Sequence, residues 1–327
     1  MEIVAAASFS DVSEKSPQFA AVEFLKARGI LQGYSDGTFR PSKKVTRAEA
    51  VKILVSTKMS ADEIATFTKR SYTDVAVDAW YRPYVEAAFQ KLGLIHGPPK
   101  TSTFNGEKTV RLGEFLKLLF KSQGVDTNAF SEIKLPLATD VNDATAWFYP
   151  MMRYAVASSI LQIDADGKLH PDGEITRGDL ADILYRLASY QGGKRTQALL
   201  SEEESELVNV LKMFDKKDFT QAEMASARAL VASRGALLSK PTVSIVQAAV
   251  KIAESFRSLD RAYNAGTAGK LDDVLTLTKE AWGLADKAMQ ISPSLQELST
   301  RVQTIASNMA TQARTLIKQG LSSSSAK

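Results

Sequence analysis

Cysteine is absent from all 327 residues, so neither a disulfide framework nor a thiolate-bound metal belongs to this fold. Only two histidines occur, His96 and His170, far apart in sequence and each among turn-forming residues. That scarcity argues against an imidazole metal centre and against a Ser–His–acid triad. No apolar run approaches the roughly 20 residues that a membrane-crossing helix needs. A phosphate loop of the Gly-x-x-x-x-Gly-Lys type is also missing. Charge of one sign is scarce too. The 41 basic and 37 acidic residues leave a net +4, and no run of Lys and Arg gathers into a nucleic-acid stripe. The expectation is therefore a non-catalytic protein with no cofactor, no metal, no nucleic-acid partner and no membrane span.

What remains is ordinary for a folded chain: 44% hydrophobic and 24% charged residues, with length enough for two domains. The stretch Ile3-Val4-Ala5-Ala6-Ala7 before Ser8 reads as the small-residue end of a secretory signal peptide. The charged and apolar regions that precede such an end are missing. Met1 is accordingly read as a start placed just upstream of a cleavage site.

Internal repetition dominates the first half. Phe9-Ser10-Asp11-Val12, Tyr72-Thr73-Asp74-Val75 and Ala138-Thr139-Asp140-Val141 recur about every 65 residues. An amphipathic helix follows each, entered in the later two through Trp80-Tyr81-Arg82-Pro83 and Trp147-Phe148-Tyr149-Pro150. Proline at a helix start is harmless, because its missing N–H would be unpaired there anyway. Next comes a polar loop: Gly33-Tyr34-Ser35-Asp36-Gly37-Thr38-Phe39-Arg40-Pro41 in the first unit and Asp164-Ala165-Asp166-Gly167-Lys168-Leu169-His170-Pro171 in the third. Its Asp-Gly pairs suit a tight turn. A calcium loop is not expected in the third, because Lys168, Leu169 and Ile175 stand where an EF-hand needs an oxygen ligand, glycine and glutamate. A second helix closes each unit. It starts at Thr46-Arg47-Ala48-Glu49 and at Thr176-Arg177-Gly178-Asp179, each a capping box of Thr with an acid three residues on. The middle unit departs from this, with Arg111 at the cap position and Leu112 where arginine is expected.

Phe-x-Asp-Val, Gly-Tyr-x-Asp-Gly-Thr-Phe-Arg-Pro and Thr-Arg-Ala-Glu, in this order within about 60 residues, resemble the S-layer homology repeat. The resemblance is sharpest in the first unit, good in the third, degraded in the second, and covers roughly residues 8–190. It implies three repeats (8–68, 69–130 and 131–192) closed into a pseudo-three-fold cluster, with the first helices inside and a groove between neighbours. It also implies a ligand, an acidic secondary cell-wall polysaccharide often carrying pyruvylated amino sugars, or in some lineages peptidoglycan.

The residues themselves agree. Arg47 and Arg177 sit in the first turn of a helix, against the macrodipole, where a bound carboxylate would meet free N–H groups, the positive helix end and a planar guanidinium. Asp11, Asp74 and Asp140 are candidates for sugar hydroxyls, or equally for bracing their loops. Trp80 and Trp147 are candidates for the apolar face of a pyranose, or for packing between units. Thr46 and Thr176 complete the candidate set, although a capping box needs no ligand. Gly33 joins them on the resemblance, its plain reading being a backbone device. Leu112 removes one arginine, so one or two working grooves are expected, with the loss falling on the middle unit.

After Tyr190-Gln191-Gly192-Gly193 the composition turns to Ala, Leu, Ser, Thr and Lys. Helices are expected near 201–216, 219–238, 242–265, 270–290 and 294–319, a bundle over 193–320 with a disordered tail at 321–327. The fold class is mainly all-α. Hairpins of the tetratricopeptide kind are a variant reading, although no 34-residue period is evident. Glu202-Glu203-Glu204-Ser205-Glu206 reads as a solvated helix start. The leading expectation is an extracellular anchor on the cell wall or S-layer, exported through a signal peptide, in which the bundle spaces the anchor or assists self-association in a lattice. Two rivals stand beside it: a scaffold whose bundle grips a protein partner, and the wall-binding fragment of a larger enzyme.

Overall fold

A computed structural model describes residues 7–320; the signal-like residues up to Ala6 and the tail from residue 321 lie outside them. The chain is mainly α-helical: α1 (Phe19–Ala27), α2 (Arg47–Ser56), α3 (Ala61–Ala65), α4 (Arg82–Gln90), α5 (Leu112–Gln123), α6 (Tyr149–Ala157), α7 (Arg177–Gln191), α8 (Thr196–Lys216), α9 (Phe219–Ser239), α10 (Ser244–Thr267), α11 (Leu271–Ile291) and α12 (Gln296–Lys318), with one 3-10 turn at Pro293–Leu295. It divides into two compact units. The first runs through Ala129 and adds Ala146–Met152 and Leu169–Ala188; the second takes Phe130–Thr145, Arg153–Lys168 and the chain from Ser189 onward.

In the first unit, three backbone hydrogen bonds form a closed ring. Val45 N–H donates to the Ile175 carbonyl (3.0 Å), Ile175 N–H to Val110 (3.2 Å) and Val110 N–H to Val45 (2.9 Å). All three residues are buried, so this polar set is shielded from water while fully paired. The helix that follows each ring residue then has its first N–H groups satisfied by a neighbouring loop. Arg47 and Ala48 donate to the Lys108 and Gly106 carbonyls, Leu112 and Gly113 to Gly173 and Pro171, and Arg177 and Gly178 to Lys43 and Pro41, all at 2.8 or 2.9 Å. A carbonyl this close leaves little room for a side chain. A Cβ on Gly113 would lie 3.2 Å from the Pro171 oxygen, and one on Gly178 the same distance from Pro41. Hence the small residue after each of Arg47, Leu112 and Arg177.

The sequence reading put the first helices inside. Both rows of helices are buried: α2 packs on α4 and on α5, the second helices bury Ala50, Val51, Leu54, Phe115, Leu116 and Leu119, and the first helices bury Ala21, Val22 and Leu25 on α1 and Val85, Glu86, Ala87 and Ala88 on α4. The ring precedes each second helix immediately and fixes where it begins. The first helices are tied to the chain before them by a repeated brace in which Glu23 accepts from Ser8 N–H and Oγ (2.8 and 2.6 Å) and the buried Glu86 accepts from the same groups of Ser71 (2.6 and 2.7 Å).

In the second unit α8 to α12 pack neighbour on neighbour through short turns. The core is unusually alanine-rich: Phe256, Ile252 and Leu207 pack among Ala222, Ala225, Ala229, Ala281, Ala285 and Ala288, so the helix axes approach closely. Gly235 takes this further, since a Cβ there would fall 1.5 Å from the Ala157 oxygen. The expected helix boundaries hold to within a few residues, except that α8 starts at Thr196. Helices of 21 to 24 residues also exclude tetratricopeptide hairpins, because two of them exceed a unit of about 34 residues.

The acidic run on α8 is not a solvated start. Glu203 is buried, and burial raises its carboxyl well above the usual range. Glu206 grips Arg228 bidentately (2.7 and 2.8 Å), and Glu202 accepts from Gln162 (2.6 Å).

Between α9 and α10, Asp260 is buried beside Ser226 and Arg257 (3.2 Å), with Glu223 near the same guanidinium (3.7 Å). Burial pushes its carboxyl up to about 6, against the opposing pull of Ser226 and Arg257. A carboxyl whose folded-state pKa is raised binds its proton more tightly folded than unfolded, so its contribution falls as pH rises from about 4 to about 6. Asp260→Asn should therefore match the parent at pH 4 and exceed it by about 2–3 kcal/mol at pH 7, read from urea unfolding at the two pH values. Equal offsets at both would refute the assignment.

Candidate functional site

In the first unit a cleft of about 680 Å³ is lined by the loop Gly29–Tyr34, by Glu49, Lys52, Ile53 and Ser56 of α2, by the start of α3, by Trp80 and Tyr84 around the start of α4, and by Arg177. Arg177 enters it from the opening of α7. Its Nε donates to the Phe39 carbonyl (2.9 Å) and its Nη2 to Gln32 (2.8 Å), with the guanidinium over the rings of Phe39 (4.6 Å) and Tyr34 (5.0 Å). Two of its five donors are thus committed to the loop, and three remain for other acceptors.

Cations collect around Tyr34: Arg40 over its ring at 4.0 Å, Lys43 at 5.4 Å with Nζ on the phenolic oxygen at 3.0 Å, and Arg177. Glu49 is the counter-charge. Burial opposes its ionisation, but hydrogen bonds from Lys43 (2.6 Å) and the Thr46 N–H (2.9 Å), with the charges of Lys43 and Arg177, outweigh that and hold its carboxyl below the usual range. Lys52 Nζ lies 5.5 Å from the centre of the Trp80 ring and 5.9 Å from that of Tyr84. Trp80 is 52% exposed, which a packing anchor would not be.

The arrangement recurs one segment on. Lys117, at the α5 position matching Lys52, sits 5.5 Å over Trp147, itself 50% exposed. Arg47 stacks on Phe104 at 5.2 Å, and burial lowers its pKa while the nearby charge of Glu114 raises it. Each first-turn arginine therefore serves the loop of the following segment: Arg177 the first loop, Arg47 the second. This corrects the expectation that Leu112 impairs the middle unit. Leu112 instead lies beside Pro171 and Gly173, and the positions matching Lys52 and Trp80 in that third set are Asp182 and Pro17.

Other expected roles change as well. Both oxygens of Asp11 accept backbone N–H groups, from Phe39 and Arg40 (2.7 Å each), and those of Asp74 do the same for Phe104 (2.8 Å) and Asn105 (2.7 Å). They brace loops in which Arg40 and Asn105 hold left-handed φ values of 58° and 57°, a conformation disfavoured for side-chain-bearing residues. Asp140 follows Thr139 in the turn closed by Ala138 and Val141. Thr46 and Thr176 cap their helices, accepting from Glu49 and Asp179 N–H (3.2 Å each). Gly33 lines the cleft, and a Cβ there would fall 2.2 Å from the Phe9 ring. The N–H groups once assigned to a bound carboxylate are already paired with carbonyls. Lys52, Lys117, Tyr34 and Tyr84 escaped the sequence reading; mid-helix lysines resemble any solvated surface, and only their one-turn spacing after Arg47 and Leu112 marks them.

Residues 8–51 and 139–181 match the sequence model of the S-layer homology domain. Similarity to whole proteins follows the same half of the chain. The surface-layer 125 kDa protein of Lysinibacillus sphaericus is 30% identical over 51% of this chain and 14% of its own length. The amylopullulanase of Thermoanaerobacterium thermosulfurigenes is 27% identical over 57% of this chain and 10% of its own, and the cellulosome-anchoring protein of Acetivibrio thermocellus 27% identical over 49% and 35%. The chain thus spans a small part of the relatives it matches. Among the described residues no helix is long and apolar enough to cross a membrane.

Removing the Asp11 brace should loosen the first loop without touching the cleft's cations. Asp11→Ala is expected to lower unfolding free energy by about 2–4 kcal/mol, since two charge-assisted hydrogen bonds vanish and leave backbone donors unpaired. Asp11→Asn should recover part of that. Denaturant titration decides it, and a change under 0.5 kcal/mol in Asp11→Ala would contradict the brace.

Proposed function

We propose that this chain fastens to the bacterial cell envelope by binding an acidic wall saccharide, secondary cell-wall polysaccharide rather than bare peptidoglycan, in clefts of three S-layer-homology-type repeats, 8–68, 69–130 and 131–192. One observation carries the reading: an exposed indole, an ammonium above it and a partly free guanidinium converge on one cleft, as Trp80, Lys52 and Arg177. An indole face suits a pyranose ring. Two cations beside it suit a carboxylate on that ring, such as a pyruvyl ketal. The match to the S-layer homology domain and the names of the surface-layer and cellulosome-anchoring relatives support the same conclusion.

The protein acts at the cell surface as a non-catalytic anchor, and the helical unit serves spacing or self-association in a lattice. The relatives that are enzymes match over a small share of their length, which fits an anchoring module that also accompanies catalytic chains. Two clefts bind, those of Lys52–Trp80–Arg177 and Lys117–Trp147–Arg47. The set with Leu112, Asp182 and Pro17 does not.

Purified wall sacculi should co-sediment the protein, and a pyruvylated N-acetylmannosamine glycoside titrated by calorimetry should give a stoichiometry near two. Lys52→Ala with Trp80→Ala should reduce that to one. Each retained cleft is expected to weaken at least tenfold on losing its lysine, since a hydrogen bond to a charged group is worth about 1.5–3 kcal/mol. Undiminished affinity in the quadruple variant, with Lys117→Ala and Trp147→Ala added, would end the proposal.

A further inference from the structure

The helical unit carries a groove that the anchoring role leaves unused. It lies between α11 and α12, encloses about 610 Å³, and is lined by Leu275, Thr276, Thr278, Lys279, Trp282, Ala306, Ser307, Ala310, Thr311 and Arg314. Its depth comes from small side chains. Ala306, Ala310 and the inward-turned Thr278 are buried and form the floor. Trp282 forms a wall and is 45% exposed, although burying an indole is among the larger gains open to a side chain. Lys279 and Arg314 stand on the two helices, both exposed and neither in an ion pair among the described residues. Among the described residues no carboxylate lines the groove.

We propose that this groove is a binding surface for an anionic saccharide strand, distinct in its residues from the inter-repeat clefts. Charge complementarity sets the sign of the ligand, since the only charged groups lining it are cations. The exposed indole with hydroxyls at Thr276, Ser307 and Thr311 favours a sugar over an acidic peptide: the ring offers an apolar face for Trp282, and its hydroxyls match acceptors along both walls. Trp80, Lys52 and Arg177 likewise place an indole, an ammonium and a guanidinium along one cavity, on unrelated local structure. A weak site added to the two clefts of the same chain raises the overall hold on a polymer through effective concentration.

The ligand class is shared with the anchoring reading, but the residues are not, so the two can fail separately. The full-length chain is titrated with hexagalacturonate, with maltohexaose as the neutral control and hexaglutamate as the peptide control. In a background of Lys52→Ala, Trp80→Ala, Lys117→Ala and Trp147→Ala, hexagalacturonate binding should persist. It should fall at least tenfold on adding either Trp282→Ala or Lys279→Ala with Arg314→Ala, and should exceed maltohexaose binding at least tenfold. Loss of all binding in the background variant overturns this proposal and leaves the anchoring one intact. Hexaglutamate binding as tightly as the sugar, or indifference to Trp282→Ala, also overturns it. Unchanged helical circular dichroism in each variant confines the effect to the groove.

Discussion

The ring of backbone hydrogen bonds joining Val45, Val110 and Ile175 is the constraint from which the rest of the first unit follows. Strands this short have little cohesion of their own; here each supplies one donor and one acceptor to a closed circuit, and burial makes every unpaired alternative expensive. Closing the ring fixes where the second helices begin. It also points the first N–H groups of each helix at a neighbouring loop carbonyl. The positive helix ends are neutralised within the fold, which leaves the side chains that project past the helix tips as the groups able to meet an anion.

Arg177 shows the consequence. Its backbone N–H is held by the Lys43 carbonyl, and its side chain reaches the Phe39 and Gln32 carbonyls. It therefore performs two tasks, stitching one segment to the next loop and presenting its remaining donors to the cleft. Lys52 contacts the rings of Trp80 and Tyr84, and its ammonium stays available to the cleft. Arginine suits the first task because a planar fork can serve carbonyls and a ligand at once, whereas an ammonium serves as a mobile point charge.

The sequence conveyed the helical class, the repetition, the capping boxes and the rare residue types, because these depend on neighbours within a few positions. Trp80, Trp147, Arg47 and Arg177 were legible as unusual residues at motif positions. Their partners were not. Whether an arginine serves its own loop or the next one depends on the hand of the ring, which no local pattern encodes, and so the effect of Leu112 was first assigned to the wrong segment. Asp11 and Asp74 had two chemically sound readings, and only the direction of the Phe39, Arg40, Phe104 and Asn105 N–H groups separates them. Glu203 was misread because α8 begins at Thr196, which turns that residue inward.

Leu112, Asp182 and Pro17 replace arginine, lysine and tryptophan in one set of equivalent positions, yet Leu112 and Gly113 still donate to the Gly173 and Pro171 carbonyls as their counterparts do. The scaffold asks only for a backbone N–H followed by a small residue; the cleft asks for particular side chains on three different segments. Since each cleft draws on three segments, one altered segment would damage several clefts at once if its substitutions were scattered at random. Here all three changes fall in a single set, leaving two sets of charge and indole whole. Under the anchoring proposal that grouping would keep two clefts independent, and it makes the number of complete side-chain sets separate from the number of segments that the ring needs to close.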